Sequence, residues 1–420
     1  MSSIYRGLPR TTTKASPSAR RGRDGSARPT DGKYGGNQRL LRQGLESQPI
    51  TAIPRFKGQY EGDVVLSKVT SIGSYNWLEE PEPTIMVPGH PRLWLDRSIP
   101  FKVQPDRGHM FSDQNSSRLP VYPLLPLFAA VEQRMRDEGK ARYDWAPVDF
   151  VTDRNNLRKL LRWVTGQEKS RIFRIDLQLV GQKTVVMERW EEQGKEWMDG
   201  TTYGFNFEEA STRHYRGCEK STGHHQVIRY DMAGLTMVVR CEIDACVIPA
   251  SNSGNLTQGD PVEKSAAQLS STRTPSVIPA SPLRIVKGGA QVSHSSLLEL
   301  TTRKKSRWKS RYPKLFLSQI MTHISAQHEE GTVIGIRKTY LGSPELEEAD
   351  QALQPGLKKL RSFLEVIRGL VVRHGHGKRL SLVYGMDREL RLFRETDSTD
   401  CLPKPFLKRL NRAGTKATGL

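Results

Sequence analysis

Cysteine is scarce in this chain: Cys218, Cys241, Cys246 and Cys401 are the only four in 420 residues. They are too scattered for a disulfide framework, and Cys241 and Cys246 lack the second pair that a structural zinc site needs. A reducing compartment follows, nucleus or cytosol, with the nucleus favoured. No apolar stretch approaches the roughly 20 residues of a membrane span, and the N-terminus carries no apolar signal-peptide core. Neither a P-loop nor a dinucleotide fingerprint occurs, and no Ser-His-Asp set can be defended from the sequence. Hydrophobic residues make up only 36%, so part of the chain is expected to be disordered. Acid is also in short supply: 65 Lys and Arg face 45 Asp and Glu, giving a net charge of +20. Such a surplus favours a polyanionic partner, most simply nucleic acid, with an anionic membrane surface as the competing reading.

The deficits are uneven along the chain. Residues 1–50 read as a disordered basic tail, with ten Lys/Arg and two Asp before Leu45. Either a solvated tail or a nucleic-acid-binding arm fits that composition. Residues 51–395 read as one domain, interrupted at 248–283 by a segment with five prolines and no aromatic residue, expected to be a disordered insertion. Residues 396–420 read as a basic C-terminal tail. Within the domain, strands are expected at 63–67, 75–78, 84–89, 171–178, 183–190, 226–230, 235–244, 283–286, 296–300 and 332–337. A hairpin is expected at 380–384 and 390–394. Helices are expected at 124–139, 154–164, 314–327 and 357–374, the second with Asp153 as N-cap. His224 and His225 read as a solvated turn. Trp77, Trp94 and Trp145 read as core. The mixture argues for an α/β or α+β domain, a mixed sheet flanked by helices.

Carboxylates beside hydrophobic, strand-like runs are the features that stand out in so basic a protein. They are Glu208 in Gly204-Phe205-Asn206-Phe207-Glu208, then Glu242 and Asp244 in Glu242-Ile243-Asp244, then Glu299 in Glu299-Leu300-Thr301. On a strand, residues two apart share a face, so Glu242 and Asp244 converge while Ile243 faces the core. Two like charges so close repel unless a cation lies between them. A divalent metal, Mg²⁺ or Mn²⁺, suits such hard oxygen donors, and solvated acids at a strand end are the plainer alternative. Carboxylate-held metal in a basic protein points to hydrolysis at phosphorus on a nucleic acid.

In this order the motifs resemble the DXO/RAI-type 5′-end decapping nucleases, a divergent branch of the PD-(D/E)XK nuclease fold. That family has an arginine ahead of a helix, where this chain has Arg154. It then has Gly-Φ-x-Φ-Glu, Glu-Φ-Asp and Glu-Φ-Lys. The resemblance spans about residues 150–395. It implies that Glu208, Asp244, Glu299 and the Leu300 carbonyl hold the metal, and that Glu242 acts through a bound water. It implies that Arg154 contacts a substrate phosphate and that Gln319 lies near the RNA. Arg158 and the basic run from Arg303 to Lys314, seven Lys/Arg with no acid, are expected to line one side of the pocket.

One position departs from the family: Thr301 stands where the motif lysine belongs. Arg303 and Lys305 share the strand face of Glu299 and are candidate substitutes. The function expected is therefore a metal-dependent hydrolase at the 5′ end of RNA. The alternatives are an inactive nuclease fold that binds RNA or a 5′–3′ exoribonuclease partner, and a basic scaffold unrelated to nucleases.

Overall fold

The computed structural model describes residues 38–55, 57–167, 172–248, 275–302, 308–396 and 399–413. Most of the basic N-terminal tail, most of the insertion, and Arg303 and Lys305 lie outside the described residues. Within them the fold is mixed α+β, with a twelve-stranded sheet, a seven-stranded sheet and a two-stranded ribbon.

The large sheet owes its two covered faces to period-two alternation. Along Leu235–Ile243, Met237, Val239, Cys241 and Ile243 enter one core, and Val238 enters the other. The first core lies under helices Arg154–Val164, Trp308–Ser318 and Glu347–His374. The second lies under helices Leu125–Asp137 and Lys404–Ala413. The centre of the sheet is parallel: Phe150–Asp153 runs beside both Leu235–Ile243 and Thr184–Arg189. Outward from it the strands pair mostly antiparallel, including the hairpin Leu380–Tyr384 with Leu390–Arg394.

The chain passes from the large sheet to the small one at Asp244. Strand Leu235–Ile243 ends in the former, and Ala245–Cys246 begins in the latter. Ala245–Cys246 pairs antiparallel with Leu297–Thr302, which runs parallel to Thr322–Glu329. This joint brings the acidic strands together.

Several elements differ from the sequence expectations. Residues 63–67 and 75–78 are not separate strands, since one strand runs Leu66–Leu78. The helix expected at 314–327 runs Trp308–Ser318 and contains Pro313, and Thr322–Glu329 is a strand. The long helix begins at Glu347, eight residues before Pro355, which it accommodates. Gly204–Ser211, with Glu208, is a helix. His224 and His225 are buried within strand Ser221–Met232. Two segments read as disordered carry structure at their edges. Leu41 is buried in a short helix, and Ile278 and Leu283 join the second core. The C-terminal tail likewise forms a helix that buries Phe406, Leu407 and Leu410. Trp77 and Trp145 are core residues as expected, while Trp94 is half-buried.

Asp153 stands at the N-cap of Arg154–Val164 but makes no side-chain cap hydrogen bond. Both its oxygens are taken by Arg240, at 2.6 and 2.8 Å. Arg240 is fully buried and donates also to the Pro123 carbonyl and the Tyr75 hydroxyl. The pair thereby locks the two parallel strands together at the start of the Arg154 helix. Removing one partner strands the other charge in the core. Arg240→Ala should cost about 3–5 kcal/mol in urea unfolding. Lys220→Ala, which breaks an exposed pair with Glu80, should cost less than about 1 kcal/mol.

Candidate active site

Four acids gather where the two sheets meet. Asp244 sits at the joint, and one of its oxygens accepts a hydrogen bond from the Leu300 backbone N–H at 2.7 Å. That bond ties the Glu242-Ile243-Asp244 segment to the strand carrying Glu299. Glu299 is 2% exposed. Glu242 keeps an open path to solvent yet is crowded by protein atoms, so it lies in a recess rather than on a convex surface.

Glu208 arrives from a helix rather than a strand. That helix, Gly204–Ser211, has no side-chain cap of its own. Asp106, nearly a hundred residues upstream, accepts from the Asn206 backbone N–H at 2.9 Å and from the Thr202 hydroxyl at 2.7 Å. Asp106 thus satisfies an N-terminal N–H from outside the helix. Burial pushes the Glu208 carboxyl well above its ordinary range, and the charge of Asp244 pushes it further, followed by those of Glu242 and Asp106. Glu242 is also raised, by burial first and by Asp244 second. The charge of Asp244 acts on both Glu208 and Glu242, which places the three in one cluster.

The positive charge in that cluster is Lys314. It rises from helix Trp308–Ser318, and its ammonium contacts Glu299 Oε1. Burial pulls Lys314 down to about 8, against the opposing charges of Asp244 and Glu208. Arg154 and Arg158 press it the same way as burial. Arg154 itself is 8% exposed, with one guanidinium nitrogen 3.6 Å from Glu299 Oε2. That nitrogen and Glu299 Oε2 are buried polar atoms with no hydrogen-bond partner.

Two of the expected residues are placed differently. Thr301 turns to the neighbouring strand, where its hydroxyl lies 3.1 Å from His323 Nε2. Burial and the charges of Arg311 and Lys314 pull His323 down to about 4, which leaves a neutral imidazole beside Thr301. Gln319 stands just past the helix end and folds its amide back onto the Phe316 carbonyl, at 2.7 Å. Sequence reasoning singled out neither Lys314 nor Asp106. Lys314 carried a signal nonetheless: it sits three residues after Arg311, among Tyr312, Leu315 and Phe316 that face the core.

The donors here are all hard oxygens with one orphaned carboxylate oxygen among them, a set that fits a divalent cation. Among the described residues, however, no group of three or more acids, histidines or cysteines is spaced to hold a metal ion. The ammonium of Lys314 balances Glu299 instead.

No curated protein matches the sequence. Among solved structures, Rai1 of Scheffersomyces stipitis aligns with a TM-score of 0.53 at 10% identity, covering 88% of this chain and 99% of that one. Rai1 of Candida albicans in complex with pU5 and Mn²⁺ aligns with a TM-score of 0.51 at 13% identity, covering 86% and 99%. Rai1 of S. pombe in complex with 3′-FADP aligns with a TM-score of 0.51 at 14% identity, covering 81% and 97%. The chain therefore has the mixed α+β fold of the Rai1 proteins. A family model described as Domain of unknown function (DUF8563) matches residues 62–410, and to that family the chain belongs.

Proposed function

We propose that this protein is a divalent-metal-dependent hydrolase acting at the 5′ end of RNA, with Lys314 supplying the charge that Thr301 cannot. The observation that carries the proposal is the contact of Lys314 with Glu299 inside the acid cluster, where two further arginines converge. Related support comes from the Rai1 of Candida albicans, which shares the fold and binds pU5 with Mn²⁺. The surplus of basic charge suits the same partner. Nucleus or cytosol is the proposed location, with the nucleus favoured, and a 5′–3′ exoribonuclease is a candidate protein partner.

In this reading Glu208, Asp244, Glu299 and the Leu300 carbonyl hold the ion, Mg²⁺ or Mn²⁺. A bound divalent ion supplies a Lewis acid for a phosphoryl oxygen and makes water a better nucleophile near neutral pH. Glu242, open to solvent beside Asp244, orients the attacking water. Arg154, at the start of its helix and held by the neighbouring Asp153–Arg240 pair, binds the substrate phosphate with Arg158. Lys314 balances Glu299 in the resting protein and stabilises negative charge on the reacting phosphate during turnover. Thr301 does no chemistry. Its hydroxyl is engaged with His323 instead. Arg303 and Lys305 remain proposed contributors to the basic wall.

A metal-dependent cleavage assay on 5′-phosphorylated and 5′-capped RNAs tests the proposal. Wild type should cleave in Mn²⁺ or Mg²⁺ and not in EDTA. Glu299→Gln and Asp244→Asn should each lower turnover at least about a hundredfold, and Lys314→Ala about ten- to a thousandfold. Thr301→Lys should change turnover by less than about tenfold, because the charge is already supplied.

The second reading, an inactive nuclease fold, draws on the same contact: an ammonium standing permanently on Glu299 could replace the ion. Stability separates the two. Lys314→Ala should lower the unfolding temperature in EDTA, because it leaves Glu299 poorly compensated. Added Mn²⁺ should restore the loss if the acids bind the ion. An Mn²⁺-indifferent melting temperature in both proteins, with no cleavage by wild type, would favour the inactive fold.

A further inference from the structure

A two-stranded ribbon, Arg107–Phe111 paired with Lys195–Asp199, stands apart from both large sheets. Its register sets Phe111 opposite Lys195, His109 opposite Trp197, and Arg107 opposite Asp199. Directly opposed residues share a face. One face therefore carries Arg107, His109, Phe111, Lys195, Trp197 and Asp199. The other carries Gly108, Met110, Glu196 and Met198. The two methionines are half-buried, so the second face turns inward. The first faces solvent. Trp197 is 65% exposed there, and His109 meets it edge-on at 5.1 Å between ring centroids. The Lys195 ammonium lies 4.7 Å from the Phe111 ring centroid, and Arg118 covers the same ring at 5.2 Å. Aromatic rings interleaved with cations, on an exposed ribbon, have no structural task that the core would require.

The ribbon is anchored at both ends, and one anchor leads directly to the helix of the acid cluster. At one end, Gly200 N–H bonds the Asp106 carbonyl, and Asp106 caps the helix that carries Glu208. At the other end, the N–H groups of Ser112 and Asp113 bond the Gly194 carbonyl. Asp113 is buried, which raises its carboxyl, but Arg189 and Arg240 overcome this and hold it at about 2. Arg189 in turn acts on Glu242. A second path runs along the solvent face itself. Arg118, over Phe111, donates to the Thr222 hydroxyl at 3.0 Å, and that hydroxyl bonds Gln114 at 2.7 Å. Gln114 lies against Gly223, where a methyl group would stand 3.5 Å from Glu242 Oε1. A chain of contacts thus links the aromatic face to the neighbourhood of Glu242.

We propose that the His109–Trp197–Phe111 face is a base-stacking platform for single-stranded RNA whose 5′ end lies in the acid cluster. The proposal rests on the RNA reading of that cluster. Every nucleobase has a π-face, so stacking on Trp197 would take RNA of any sequence, while Arg107, Lys195 and Arg118 follow the phosphates. Asp199 adds one negative charge to this face, with one oxygen turned to the Thr201 N–H and hydroxyl, and the three cations outnumber it. A mononucleotide occupies the acid cluster alone and never reaches the platform.

The test measures the affinity of full-length protein for 5′-phosphorylated oligouridylates of five and ten residues, in Ca²⁺, by fluorescence anisotropy. Uridine 5′-monophosphate serves as the short competitor. Trp197 is exposed, so its replacement should leave the fold intact, and Trp197→Phe keeps an aromatic ring. Trp197→Ala should weaken oligonucleotide binding about tenfold or more. It should leave the monophosphate within about twofold, and Trp197→Phe should retain most of the affinity. Unchanged oligonucleotide affinity in Trp197→Ala would overturn the platform alone, leave the RNA reading standing, and assign the face to a protein partner. Equal losses for oligonucleotide and monophosphate would also overturn it, as a disturbance of the pocket itself. Failure of wild type to bind any oligonucleotide would overturn the platform and the RNA reading together.

Discussion

Like-charge repulsion at the joint of two sheets is the constraint around which this protein is arranged. Asp244 raises the proton affinity of both Glu208 and Glu242, and Glu299 lies buried one strand away. Carboxylates gathered in this way are stable only with compensating positive charge nearby. Much of the surrounding architecture can be understood as its delivery. Helix Trp308–Ser318 brings Lys314 to Glu299, and helix Arg154–Val164 begins with Arg154 against the same carboxylate. The fully buried Asp153–Arg240 pair sits immediately before that helix and holds its start against the neighbouring strand. Under the proposed function, the same field would receive a phosphate beside a divalent ion.

The lysine at this site comes from a helix rather than from the Glu299 strand. A charge at this site can arrive along the Glu299 strand, where Thr301 now bonds His323, or from the helix that follows it. Lys314 takes the second route. Its ammonium reaches Glu299 across the space between helix and strand. A site defined by where charges end up, rather than by which position in the chain supplies them, can survive the loss of a motif residue.

The acids were legible in the sequence because each stands beside apolar residues at strand or helix spacing. Helix Arg154–Val164 was legible because Leu157, Leu160, Leu161 and Val164 make one face. What was hidden depended on tertiary context. Helices expected from 314 and 357 begin earlier, because the chain accommodates Pro313 and Pro355 inside them. His224 and His225 read as a turn because the Ser-Thr-Gly segment before them resembles one. They are buried instead through pairing with strands on both sides. Asp153 fitted an N-cap by position, but a buried arginine one strand away claimed its carboxylate. Lys314 lay within a basic run whose members look alike until a helix turns one of them inward. The ribbon left no strong trace, since its two short strands lie far apart in sequence and only one face is covered.

Manganese binding observed directly would test the central claim, that the acid cluster is a metal site whose resting counter-charge is Lys314. A crystal of the protein soaked in Mn²⁺ and measured at the manganese absorption edge gives the ion's position without reference to activity. The account predicts an anomalous peak about 2.0–2.6 Å from oxygens of Asp244 and Glu299, with Glu208 drawn in and the Lys314 ammonium moved off Glu299. A map with no anomalous peak in the cluster, and Lys314 still seated on Glu299 at saturating Mn²⁺, would contradict it.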